Sequence, residues 1–306
     1  MTTAYITHPI CLKHEMGKGH PESPARMVSI SNGLIGVGLY QQMKHFQAPT
    51  ATREQLLRAH EVDYICSIEQ SIPTQGLVVL DGDTSLNPYT YQAALRAAGA
   101  AVLGVDLALD GSVDNVFCNV RPAGHHATSW RASGFCIFNN VAIGALHALD
   151  QHKLKRVVIA DFDVHHADGT EDIFQDDPRV MLLSTFQYPL FPCRGAKSSN
   201  DHIINSPLPA GAGSEEFRSV VKNRWLPSLE RFQPELILIS AGFDAHRDDN
   251  MSGMNLTEDD YAWVTTELLR FAQGRAVSVL EGGYELSSLT RSAIEHVRVL
   301  CNYDSI

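Results

Sequence analysis

The chain is poor in the features that define several protein classes. Only six of its 306 residues are cysteine (Cys11, Cys66, Cys118, Cys136, Cys193 and Cys301), scattered and without a Cys-x-x-Cys pair. That excludes a zinc ribbon and gives no frame for a disulfide-knit secreted domain, so most of these thiols read as reduced core or loop residues. Basic residues are also scarce, 24 Lys and Arg against 35 Asp and Glu, for a formal net charge of −11. General nucleic-acid binding needs a basic surface, so no direct nucleic-acid partner is expected. No run of about 18 apolar residues is present, so no membrane span is expected. The opening Met1-Thr2-Thr3-Ala4-Tyr5-Ile6-Thr7-His8 lacks the basic start and apolar stretch of a secretory leader. A soluble, cytoplasmic protein is the expectation. Neither a low-complexity tract nor an internal repeat divides the chain. With 44% hydrophobic residues, one domain over 1–306 is expected.

What is present is a set of apolar runs that end in chemistry. Val157-Val158-Ile159-Ala160 reads as a buried strand and leads into Asp161-Phe162-Asp163-Val164-His165-His166-Ala167-Asp168-Gly169-Thr170. Strand alternation predicts Asp161, Asp163 and His165 on one face at its carboxyl end. Three further runs behave alike. Asn115–Val120 precedes Arg121-Pro122-Ala123-Gly124-His125-His126, Leu236–Ser240 precedes Ala241-Gly242-Phe243-Asp244, and Ala276–Leu280 precedes Glu281-Gly282-Gly283-Tyr284. Ligands of open parallel α/β sheets bind beyond the carboxyl ends of strands, so the four runs point to one rim.

Helical patterns alternate with these runs, which predicts a parallel sheet covered by helices. Thr52-x-x-Gln55 predicts a capping box for a helix reaching Gln70, and Thr257-x-x-Asp260 predicts another for a helix stopping at Gly274. An Ala-rich helix is expected over 90–109 and a short amphipathic one over 140–150. Residues 214–232 read as a helix that Pro227 kinks or splits.

Asp163, His165 and Asp244 together offer two carboxylates and an imidazole, a ligand set with open positions. It suits Zn(II), and also Fe(II), Co(II) or Mn(II). The structural alternative is that the two acids cap helices and His165 is a core histidine. Asp161 and Asp168 flank these residues, and each is placed to accept the Nδ1–H of one member of the pair His125-His126. That would make a proton-transfer pair beside a metal. Tyr284, after two glycines, would donate to a developing oxyanion.

These residues carry a resemblance. Gly19-His20-Pro21-Glu22-Ser23-Pro24-Ala25-Arg26, Arg121 through Ala127, Gly134-Phe135-Cys136-Ile137-Phe138-Asn139-Asn140, Asp161 through Thr170, Ala241 through Ala245 and Leu280 through Tyr284 follow one another in a familiar order. The chain resembles the histone deacetylase family, which includes bacterial deacetylase-like amidohydrolases and acetylpolyamine amidohydrolases. The Leu-Glu-Gly-Gly-Tyr form leans to the class II branch.

The resemblance implies a single-domain arginase/deacetylase α/β fold with the active site at the carboxyl ends of the strands. It implies one catalytic Zn2+ on Asp163, His165 and Asp244. His125, His126, Asp161, Asp168 and Tyr284 would serve catalysis, and Gly134, Phe135 and Phe191 would wall a narrow tunnel. It further implies K+ near Asp161, Asp163, His165 and Ser184, and a second K+ near Phe174 and Val180. Asp83 matches a rim acid that holds a substrate backbone, or else a plain turn.

Departures fall at Phe186, where relatives often carry histidine, and at Cys193-Arg194, where they carry Gly-Thr. Met251 stands roughly where polyamine-selective relatives place a glutamate, which weakens a polyamine reading, although Asp248 and Asp249 beside it would still attract cations. The expected activity is metal-dependent hydrolysis of an Nε-acetyl-lysine-like amide. The alternatives are an acetylated polyamine or other small acyl amide, a dinuclear Mn ureohydrolase, or a non-catalytic acyl-group binder. The natural substrate and the oligomeric state stay open.

Overall fold

The protein is described here by a computed structural model covering residues 1–302; residues 303–306, the end of the expected domain, lie outside the described residues. Among the described residues ten strands occur: β1 (Thr3–Thr7), β2 (Lys44–Gln47), β3 (Val78–Val79), β4 (Ser85–Leu86), β5 (Asn115–Cys118), β6 (Val157–Asp161), β7 (Val180–Gln187), β8 (Ile203–Leu208), β9 (Leu236–Ala241) and β10 (Ala276–Leu280). The helices are α1 (Ala25–Gly36), α2 (Arg53–Leu57), α3 (Val62–Ser71), α4 (Thr90–Leu109), α5 (Asn140–Asp150), α6 (Asp168–Phe174), α7 (Ser214–Val220), α8 (Leu226–Phe232), α9 (Glu258–Leu269) and α10 (Leu286–Asn302).

Eight strands form one parallel sheet in the order β2-β1-β5-β10-β9-β6-β7-β8, and β3 and β4 make a small antiparallel ribbon. Alternation splits the core in two. Val157 and Ile159 of β6 face a layer containing α4 and α5, whereas Val158 and Ala160 face α9 and α10. Both faces are covered, so the central strands are apolar throughout. The four runs read from the sequence, β5, β10, β9 and β6, lie side by side. Their carboxyl ends therefore open onto one place.

Helix α4 packs closely because it is small-sided. A Cβ on Gly104 would come within 2.8 Å of Val277 Cγ1, and one on Gly99 within 2.0 Å of the Pro49 carbonyl oxygen. Among the described residues α4 alone is long and apolar enough to cross a membrane, and 72% of that stretch is buried in the protein, as befits a core helix.

Two helix expectations change. Both capping boxes form, at Thr52–Gln55 and Thr257–Asp260. The first helix stops at Leu57, however, and α3 starts afresh at Val62. Between them the Glu61 N–H donates to the Ser129 carbonyl at 2.8 Å, and the His60 ring bridges the Thr128 carbonyl and the Asn139 N–H. The chain gives up a helical turn to hold the loop that enters the site. The second helix ends at Leu269, and Gly274 closes a separate 3-10 turn. As expected, 214–232 does not run as one α-helix: a π-turn over Val221–Trp225 separates α7 from α8 and puts Pro227 in the first turn of α8, where its missing N–H costs least.

Candidate active site

Strand β6 ends at Asp161, so Asp163 and His165 lie beyond it and strand alternation is not what aligns them. Two side-chain turns do so instead. The Asp163 N–H donates to Asp161 Oδ1 at 3.1 Å, and the His165 N–H donates to Asp163 Oδ1 at 2.9 Å. Asp244 follows β9 and accepts the Val164 N–H at 2.9 Å, so neither acid caps a helix. One donor atom each from Asp163, His165 and Asp244 falls within 4.8 Å of the others, and all three residues are buried.

The cluster fits a cation. Asp244 Oδ2 is buried without a hydrogen bond, although His165 Nδ1 lies 3.2 Å away out of line. Burial, then the Asp163 charge, pushes the Asp244 carboxyl up to about 6. Two converging buried carboxylates are unfavourable alone, and a metal ion between them would relieve that cost. Glycine keeps the space clear. A Cβ on Gly282 would stand 2.1 Å from Asp244 Oδ2 and 2.4 Å from Asp163 Oδ2.

The histidine pair follows β5. His125 Nδ1 is 3.0 Å from Asp161 Oδ2, His126 Nδ1 is 2.7 Å from Asp168 Oδ1, and the ring centroids are 4.0 Å apart. Their environments differ. Burial disfavours charge on His125, yet the Asp163 and Asp161 carboxylates outweigh it and hold its pKa well above the ordinary value. His126 goes the other way, lowered to about 4 by burial and the neighbouring His125, against the pull of Asp168. Such divergent environments suit one proton holder and one proton acceptor.

Above these groups is a cavity of about 110 Å3 lined by Asp83, His126, Gly134, Phe135, His165, Phe191, Met251 and Tyr284. It thus gathers every residue expected to bind substrate. Phe191 packs edge-on to His126 at 5.0 Å and Phe135 edge-on to Tyr284 at 5.8 Å. Gly134 and Phe135 both have positive φ, 53° and 66°; for Phe135 this is a strained wall position. Asp83 is an exposed rim residue, and the turn beside it is built by Asp81, whose Oδ1 accepts the Asp83 and Thr84 N–H groups. Of the unusual residues in and after β7, only Phe191 reaches the cavity: Phe186, still within the strand, is buried against His166 and Cys193 is exposed. A larger hollow of about 860 Å3, lined by residues including Arg156, Glu235 and Arg275, lies at the amino ends of the strands, away from these groups.

Tyr284 is held from behind. Asp249 Oδ2 accepts the Tyr284 N–H at 2.6 Å and the Glu285 N–H at 3.0 Å, and the Arg26 guanidinium lies 4.9 Å over the tyrosine ring. Burial raises the phenol well above its usual value, with Arg26 opposing, so it stays a donor. Asp248 pairs with Arg291 at 2.8 Å. Asp248 thus carries a half-exposed ion pair, and Asp249 is turned inward behind Tyr284.

Sequence reasoning gave no role to Glu281, Glu22, Arg26 or Arg121. Glu281 Oε2 accepts the Gly124 and His125 N–H groups at 2.7 and 3.1 Å, and burial lifts its carboxyl to about 7. Glu22 is fully buried between Arg121 and Arg26. The available signal was their occurrence as charged residues inside otherwise apolar or Gly/Pro-rich motifs.

For the expected potassium positions, Ser184 lies opposite Asp161 in the sheet register, and its hydroxyl is buried without a partner. Near the second, the Phe174 carbonyl already accepts His202 Nε2 at 3.0 Å, and the Val180 N–H donates to the Asp177 carbonyl.

Residues 20–300 match the family described as Histone deacetylase domain. The chain is 36% identical to Histone deacetylase 14, chloroplastic, of Arabidopsis thaliana, over 94% of this chain and 74% of that one. It is 36% identical to Polyamine deacetylase HDAC10 of Mus musculus, over 91% of this chain and 44% of the other. The crystal structure of the HDA15 HD domain superposes with a TM-score of 0.94 at 31% identity, covering 98% of this chain and 88% of that one.

Proposed function

The chain belongs to the histone deacetylase family, and from that premise we propose that it is a zinc-dependent deacylase. It would cleave an N-acyl amine of the Nε-acetyl-lysine kind to a carboxylate and a free amine. The observation that supports this reading is the constellation under the 110 Å3 cavity: Asp163, His165 and Asp244 together, two Asp-backed histidines and Tyr284.

Zinc bound to Asp163, His165 and Asp244 would supply a Lewis acid that acidifies a water and polarises the acyl carbonyl. The remaining chemistry belongs to the side chains. Neutral His126 donates Nδ1–H to Asp168, which leaves its Nε2 lone pair to take the proton of the attacking water. His125, protonated against Asp161, stabilises the negative charge that develops and supplies a proton toward the leaving amine. With the Asp163 charge neutralised by a bound ion, its pull on His125 would weaken and that proton would be closer to release. Tyr284 O–H donates to the oxyanion. Phe135 and Phe191 admit an extended alkyl chain and exclude water around the amide. The same reading puts potassium beside Asp161, Asp163, His165 and Ser184, where the Ser184 hydroxyl lacks a partner.

An acetylated polyamine or another small acyl amide is the second reading, favoured by the likeness to a protein named polyamine deacetylase. Apolar Met251 at the cavity favours the lysine-like substrate. A dinuclear ureohydrolase fits less well, because Asp248 and Asp249 beside Asp244 are engaged with Arg291 and with backbone N–H groups. The test is amine release by the zinc-loaded protein from an acetyl-lysine peptide and from an N-acetylated polyamine, compared by kcat/KM. Preference for the peptide supports the first reading, preference for the polyamine the second, and cleavage of neither despite bound zinc removes acetyl as the acyl group.

A further inference from the structure

A second group of metal-ligating side chains lies outside the catalytic cavity. Asp106 stands in the last turn of α4 and His147 in the last turn of α5, while His152 follows two residues after α5 ends. The two helices pack against each other and finish at the same place. Nε2 of His147 and Nε2 of His152 each lie 2.7 Å from the same Oδ1 of Asp106, with ring centroids 5.5 Å apart. Donor atoms from the three residues fall within 4.8 Å of one another. The His147 side chain is 8% exposed, that of His152 27% and that of Asp106 44%, so the group is anchored on one side and open to water on the other.

We propose that Asp106, His147 and His152 form a second divalent-metal site, separate from the catalytic one. Two imidazole nitrogens and one carboxylate oxygen are the donor set of zinc, copper or nickel rather than of magnesium or calcium, which take oxygen ligands. The negative ends of two helix dipoles meet there and favour a cation. The catalytic histidines lie toward the other end of α5, whose first residue is about 10 Å of helical rise from His147. A metal at this position ties the end of α4 to the turn that leads into β6.

Arg58 sets the strength of the site. Its Nη1 donates to His147 Nδ1 at 2.9 Å, and its guanidinium also meets Glu54 at 3.2 Å and Asp150 at 3.7 Å. A metal on His147 Nε2 leaves the ring proton on Nδ1, which can no longer accept from Arg58. Metal binding therefore shifts Arg58 wholly onto Glu54 and Asp150, and Arg58 opposes the metal both by its charge and by this hydrogen bond. The site also changes how metal content is read: two zinc ions per chain would not mean a dinuclear catalytic centre.

Zinc stoichiometry and calorimetric affinity separate the two sites. A D244A chain is expected to keep one zinc, a D244A/H152A chain to bind none, and H152A to lose one zinc while keeping wild-type kcat/KM. The outer-site affinity is expected to fall about tenfold or more in H152A and to rise several-fold in R58Q. Should D244A fail to fold, Co(II) absorption of wild type against H152A reports the loss of one nitrogen-rich site. The proposal is overturned if H152A binds as much metal as wild type, or if folded D244A binds none. Absence of activity in the wild-type chain with intact outer binding counts instead against the deacylase reading.

Discussion

Tyr284 and Asp249 allow a direct test of the proposed oxyanion donor. Tyr284→Phe removes one hydroxyl while preserving the ring, and with it the contacts to Phe135 at 5.8 Å and to Arg26 at 4.9 Å. Stability and zinc content should therefore stay near wild type, while kcat falls about 10²–10³-fold, the usual cost of one oxyanion donor. Asp249→Asn keeps the shape but sets a neutral amide against the Tyr284 and Glu285 N–H groups. Each of those bonds to a charged acceptor contributes roughly 1.5–3 kcal/mol, enough to let the Gly-Gly-Tyr turn drift. If Asp249 acts through Tyr284, the double variant should be about as slow as the slower single variant. The assay is kcat on an acetyl-lysine peptide, with zinc content and KM followed in parallel. Near-wild-type turnover of Tyr284→Phe, or a double variant slowed by the product of the two singles, refutes the reasoning.

Other perturbations probe different parts of the site. Gly282→Ala places a methyl 2.1 Å from Asp244 Oδ2, and zinc affinity measured by calorimetry should drop about tenfold or more in a chain that still folds. Asp168→Asn removes the acceptor that fixes the His126 tautomer, so kcat should fall about 10²–10⁴-fold with zinc retained, and the acid limb of the pH profile should move. Acid should destabilise the fold through two buried neutral histidines, His296 held down to about 3 and His60 to about 4, in both cases by burial. Because these folded values lie below the unfolded one near 6.5, their stability is complete above pH ~6.5 and is lost as pH falls toward them. By pH 5 each costs about 2 kcal/mol, and urea midpoints at pH 7 and 5 should show a smaller gap in His296→Gln than in wild type.

The candidate site was legible in the sequence because β5, β6, β9 and β10 each end in a short motif, and a parallel sheet puts such ends on one edge. Register within the Asp161–His165 segment was not legible. Its alignment comes from side-chain turns after the strand rather than from the strand itself. The supporting charges were invisible for a different reason. Arg121 finds Glu22 across 99 residues and the Gly282 N–H finds Asp163 across 119, so no local pattern marks them. Asp249 looked like a surface acid among Asp248 and Asn250, and only the fold turns it inward to Tyr284. Outer strands β1, β2, β7 and β8 were not singled out either. Lys44-His45-Phe46-Gln47 of β2 is a largely exposed edge with no apolar run to read.

The most direct test of the account is acetate release from an acetyl-lysine peptide by the zinc-loaded wild-type chain beside its D244A variant. The account predicts turnover by the wild type and its loss in a folded D244A chain that has lost catalytic zinc. Wild-type protein that holds zinc yet releases no acetate, or a D244A chain that still turns over, would contradict it.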